Sequence, residues 1–142
     1  MAAGECRPAW RGMRVTSATL DELAALAWTA RGAARILGAT AVGAAALGAG
    51  GGRWAGCNVE HTFRSHDIHA ETNAISSMVA DGERDLRALV VVAERERFTP
   101  CGACLDWIWE FGGAECLVGI QTSPRAGLEV LTAMALMPHY PR

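Results

Sequence analysis

His69-Ala70-Glu71 and, further along the chain, Thr99-Pro100-Cys101-Gly102-Ala103-Cys104 are the stretches whose reading decides the fold. They supply one imidazole and two thiolates, from His69, Cys101 and Cys104. These fill three corners of a tetrahedron and leave the fourth for water, as catalytic Zn2+ sites do and closed structural ones do not. Zinc brings the pKa of bound water near neutrality. Glu71, two residues from the first ligand, is placed to carry the proton. The spacing also constrains the fold. Cys101 and Cys104 stand three apart and share a face at a helix N-terminus, where the dipole favours thiolates and Pro100 suits the start. His69 and Glu71, two apart, diverge in mid-helix and converge only at a helix start. The chemistry therefore requires two helix N-termini to meet.

Each half has a plainer meaning when taken alone. C-x-x-C is also a redox pair or half of a structural zinc site. A structural site needs a fourth protein ligand. Cys6, Cys57, Cys116, His61, His66 and His139 are available, but none forms a second Cys/His knuckle. A redox pair leaves His69 and Glu71 without a role, and no strand leads directly into Cys101.

Composition sets the bounds. A chain of 142 residues that is 51% hydrophobic is long enough for one domain with its own core, so residues 1–142 read as a single domain, with 1–16 (Gly4, Pro8 and Gly12 among them) loosely ordered. Net charge is −2 and there is no basic run or stripe, which argues against a polynucleotide partner. Five cysteines without disulfide-like spacing, and thiolates used as ligands, suit a reducing cytoplasm. No apolar signal core opens the chain and no charge-free apolar run reaches about 18 residues, so no membrane association and a cytoplasmic location are expected.

Outward from the metal motif, the pattern alternates strands with helices. Thr19-Leu20-Asp21-Glu22 has the form of a capping box, with a helix to about Ala34. Ala39–Leu47 and Arg53–Val59 read as a hairpin around Gly48–Gly52. A helix runs from His69 to about Ala80, and Leu86–Ala93 is a buried strand. A helix over Cys101–Phe111 ends at Gly112-Gly113, and a strand follows over Glu115–Gln121. Leu128–Leu131 gives a short strand and Thr132–Met137 a helical turn. The sum is an α/β protein, an αβα sandwich of three layers.

Several motifs in combination now resemble a known family. The H-x-E…P-C-x-x-C arrangement is the signature of zinc nucleobase deaminases. Val42-Gly43-Ala44-Ala45, Gly56-Cys57-Asn58-Val59-Glu60, His69-Ala70-Glu71, Thr99-Pro100-Cys101-Gly102-Ala103-Cys104 and Glu110-Phe111-Gly112 resemble the small cytidine deaminases, including blasticidin-S-deaminase-like relatives. The likeness covers about residues 39–112, with a fainter echo at Leu136-Met137-Pro138. It implies a five-stranded mixed sheet, a homotetramer and hydrolysis of cytidine or deoxycytidine to the uridine form with release of ammonia. It further implies zinc on His69, Cys101 and Cys104, and Glu71 as proton shuttle. Asn58 and Glu60 would bond the sugar 3′-hydroxyl, and the Ala70 backbone would meet the pyrimidine edge.

The chain departs from that family in three places. Small tetrameric members carry a third cysteine followed, after Ala-Glu, by Arg; here the positions are His69 and Thr72. The change is self-consistent, because one neutral imidazole with two thiolates neutralises Zn2+ and leaves no anion for an Arg to offset. The family's base-stacking Phe is Thr40, with Tyr140 or Phe63 as candidate replacements. The loop before His69 places Thr62 and Arg64 where the family shows a small residue and a Tyr near the sugar 5′ end. Arg64 and His66 there suit a carboxylate or phosphate. Three functions follow: a cytidine-type deaminase, a deaminase of a 5′-modified cytosine nucleoside or antibiotic, and a non-catalytic zinc-stabilised nucleoside-binding protein.

Overall fold

The structure is a computed structural model that describes residues 14–141. Helix α1 (Ser17–Arg31) precedes the hairpin β1 (Val42–Gly48) and β2 (Arg53–Cys57). A 3-10 turn (Arg64–His66) leads to α2 (Ala70–Ala80) and β3 (Leu86–Ala93). Helix α3 (Gly102–Gly112), β4 (Leu117–Gln121), β5 (Glu129–Thr132) and α4 (Ala133–Leu136) complete the order. The sheet runs β2-β1-β3-β4-β5, with β3 and β4 parallel and the other pairs antiparallel. This is the five-stranded mixed sheet the resemblance implies. Helix α3 supplies the crossover that a parallel pair needs.

Strand alternation assigns the layers. Ala45 and Leu47 of β1, with Ala88, Val90 and Val92 of β3, pack under Leu20, Leu23, Ala24 and Ala27 of α1. Ala44 and Ala46, with Leu89 and Val91, face the other way against Ala74, Ile75 and Met78 of α2 and Leu105 and Ile108 of α3. The alanine run of β1 lets helices approach both faces. At Gly43 the approach is closest: a Cβ there would lie 1.9 Å from the Ala27 carbonyl oxygen and 2.9 Å from the Arg31 Cβ. Backbone atoms of a packed helix cannot swing aside, so Gly43→Ala is expected to destabilise the fold by about 1–3 kcal/mol or more. Gly127→Ala, where a Cβ meets nothing within 4 Å, should stay within about 0.5 kcal/mol in the same urea titration. Equal midpoints for the two variants would refute this account of α1 packing.

Helix α1 corrects the capping expectation. The N-cap is Thr16, whose hydroxyl accepts from the Thr19 N–H at 3.2 Å, so the helix starts three residues earlier than the Thr19 box implies. Glu22 does not fold back on a cap; it pairs with Arg53 at 2.7 Å. The helix also ends at Arg31 and not near Ala34, because the chain must turn for Arg35 to bridge Val59. Of the expected loose segment 1–16, residues 1–13 lie outside the described residues, while Val15 packs on the α1 side of the sheet. The glycine-rich turn holds Gly51 at φ +88°, a conformation that favours glycine. No described helix is long and apolar enough to cross a membrane.

Candidate active site

The sheet's register builds one end of the molecule. Val42, the first residue of β1, stands opposite Ala93, the last of β3, while Gly43 stands opposite Cys57, the last of β2. The segments entering β1 and leaving β2 and β3 therefore meet over the same edge. The first carries Thr40, the second Asn58 and Glu60, and the third continues through residues 94–100 to the cysteines.

Two helix N-termini do meet there. His69 is the N-cap of α2 and Cys101 the N-cap of α3, both with extended backbone and neither using its side chain to cap. Cys104 sits in the first turn of α3, fully buried. The His69 Nδ1 lies 3.3 Å from Cys104 Sγ and 3.4 Å from Cys101 Sγ. All three ligand atoms fall within 4.8 Å of one another. Zinc bonds of about 2.0–2.1 Å to nitrogen and 2.3 Å to sulfur set N···S edges of roughly 3.5 Å in a tetrahedron, so the group fits the ion in size and donor chemistry. Among the described residues the group contains no fourth protein ligand, as an open site requires.

Glu71 follows in the first turn of α2. Burial pushes its carboxyl above the ordinary range, against the pull of its own backbone N–H, His69 and the Cys104 thiol. Burial likewise pushes the Cys104 thiol up, with Glu71 and Cys101 adding to the shift. A metal ion reverses that bias, since coordination deprotonates a thiol.

The group opens on a cleft of about 390 Å³. Thr40 lines it from the segment entering β1 and Val42 from the start of β1, Asn58 and Glu60 from beyond β2, and Arg64 from the 3-10 turn. His69, Ala70, Glu71 and Cys101 line the metal end, joined by Arg95, Phe98 and Thr99. Among the described residues two polar or charged side chains are buried, Asn58 (8% exposed) and Glu71 (4%), and both line this cleft. The Asn58 amide accepts from the Val42 N–H and donates to the Thr40 carbonyl, each at 2.9 Å, which sets the entry into β1. Its second N–H lies beyond those two bonds. Glu60 accepts from the backbone N–H groups of Leu37 and Gly38 and meets Arg64 at 3.1 Å. Those two backbone donors, then Arg64, hold its carboxyl below the usual range.

Other expected site residues stand elsewhere. Tyr140 stacks on Trp109 of α3, ring centroids 4.6 Å apart, and donates to Asp106, so it offers no replacement aromatic over Thr40 in this arrangement. Phe63 is 67% exposed and clusters with His61 and His66, and Thr62 is exposed on the same loop. The aromatic ring that does line the cleft is Phe98, half-buried against the core. Neither Phe98 nor Arg95 stands out in the sequence, because residues 94–100 carry no periodicity. Their place ahead of the first cysteine of the His–Cys–Cys group is the one available signal.

An open His–Cys–Cys group beside a buried acid, on an αβα sandwich, marks a zinc-dependent hydrolase. The family model for the cytidine and deoxycytidylate deaminase zinc-binding region matches residues 17–120. A cytidine deaminase of Sporosarcina psychrophila is 39% identical over 98 residues, 68% of this chain and 71% of that one. The crystal structure of a Burkholderia pseudomallei cytidine deaminase superposes with a TM-score of 0.79 at 31% identity, over 88% of this chain and 98% of that one. A Mycobacterium leprae cytidine deaminase gives 0.72 at 29% identity, over 84% and 98%. The chain belongs to the cytidine and deoxycytidylate deaminase family and is a hydrolytic deaminase of that zinc-binding kind.

Proposed function

We propose that the protein deaminates cytidine-type nucleosides, with Glu71 as proton carrier and His69, Cys101 and Cys104 as the zinc ligands. One observation carries this reading: the buried carboxylate and the buried amide, Glu71 and Asn58, line the same cleft as the three metal donors. Zinc, when bound, supplies Lewis acidity that makes water a nucleophile near neutral pH. Glu71 takes a proton from the attacking water and delivers it to N3 of the ring. The water oxygen bonds C4, the C4–N bond breaks, and Glu71 passes the second proton to the departing amine, which leaves as ammonia. Burial favours the protonated form of Glu71, as a group that must hold and return a proton requires.

The remaining lining groups position the substrate. Phe98 and Val42 form an apolar wall for a planar ring, beside the small Thr40, and the Ala70 backbone meets the ring edge. The free N–H of Asn58 and the carboxylate of Glu60 meet the sugar hydroxyl.

The test is ammonia release by zinc-loaded protein on cytidine, deoxycytidine, cytidine monophosphate, free cytosine and a cytosine nucleoside antibiotic. Hydrogen bonds to the sugar should make kcat/KM for a nucleoside roughly 10- to 100-fold that for free cytosine. Silence on every compound with zinc bound would sink the reading.

A further inference from the structure

We infer that Arg95 is a specificity-determining residue that binds an oxyanion, phosphate or carboxylate, carried by the substrate. This deepens the nucleoside-deaminase reading and rests on it. Two guanidinium groups, Arg64 and Arg95, line the cleft. Arg64 is the one whose position in sequence suggests anion recognition, but its charge is already met. It lies 3.1 Å from Glu60 and 2.9 Å from Asp67, one cation between two carboxylates. An arriving anion would have to displace both.

Arg95 differs. Its backbone N–H bonds the carbonyls of Ala93 at 3.0 Å and Thr122 at 3.2 Å, so its Cα is anchored just past the end of β3. Its side chain is exposed on the cleft, and no ion pair to it forms among the described residues. The preceding acid, Glu94, turns to Arg31 at 3.7 Å. Among the described residues, Arg95 is thus a cleft-lining cation with no ion pair, held on a fixed backbone. A planar guanidinium fork matches the paired oxygens of a phosphate or carboxylate.

Binding separates this inference from the reading beneath it. Titration calorimetry would compare uridine 5′-monophosphate, uridine 5′-carboxylate and uridine on the zinc-loaded protein, on Arg95→Gln and on Arg95→Lys. Wild type should bind one or both anionic compounds about tenfold more tightly than uridine, as a partly exposed charge-assisted pair allows. The advantage should disappear in Arg95→Gln, persist in part in Arg95→Lys, and shrink in 0.5 M salt. The more tightly held compound names the oxyanion. Equal affinity of wild type for all three, or an advantage retained by Arg95→Gln, overturns the inference. Ammonia release from cytidine is scored separately: an anion preference lost in Arg95→Gln stands even if that assay is silent, and the deaminase reading alone then falls.

Discussion

Glu71→Gln should lose deamination by roughly 10²- to 10⁴-fold, the contribution of a positioned general acid–base group, while zinc content and fold persist. The amide keeps the shape of the carboxyl and is not a metal donor in the His69, Cys101 and Cys104 group. It also removes an ionisable group that is 4% exposed and whose charged form burial disfavours, so the melting temperature should hold or rise. Three readouts on one preparation settle the matter: ammonia release, zinc-to-protein ratio and thermal unfolding. Turnover within tenfold of wild type at full zinc occupancy would end the proton-carrier assignment and revive the non-catalytic nucleoside-binding alternative. Loss of zinc together with turnover would show instead that the variant had damaged the metal group.

Cys104→Ser is expected to remove tight zinc binding and, with it, activity. The Cys104 sulfur is fully buried and sits 3.3 Å from the His69 Nδ1. A serine hydroxyl fits the space but stays protonated near neutral pH, so the set falls from three donors to two. Losing groups that merely support a ligand costs roughly 10- to 100-fold in affinity; losing the ligand should cost more than 100-fold. Competition with a chromophoric chelator measures that change directly. Zinc uptake by wild type should release protons from the thiols, and the variant should release fewer. Cys116→Ser is the contrast. Its thiol is equally buried and pushed up to about 12 by that burial, yet it packs in the core and lies outside the metal group. If Cys104→Ser retains stoichiometric zinc, the three-donor assignment is wrong.

Much of the architecture can be read locally, and the reasons are local. Leu86–Ala93 is apolar at every position but Arg87 and is flanked by Asp85 and Glu94, and it forms β3 over those residues. The need for His69 and Glu71 to converge places His69 at a helix start, and it is the N-cap of α2. Helix α1 shows where such reading stops. The Thr19-Leu20-Asp21-Glu22 box places the cap at Thr19, yet the N-cap is Thr16, and Glu22 pairs instead with Arg53 of β2. A local capping pattern carries no record of the contacts its residues make with another element.

The cleft divides the same way. Donor types, their spacing and the acid beside them were determined by the sequence alone, because ligand chemistry and helix-start geometry act within a few residues. The tertiary structure decided which other groups face that chemistry. Pairing of Val42 with Ala93 and Gly43 with Cys57 carries Phe98 and Arg95 to the cleft that Asn58 lines. Packing on Trp109 holds Tyr140 elsewhere, and Glu60 and Asp67 together occupy the charge of Arg64. Side chains distant in sequence become neighbours only through sheet register and ion pairing, and both are set when the whole core closes.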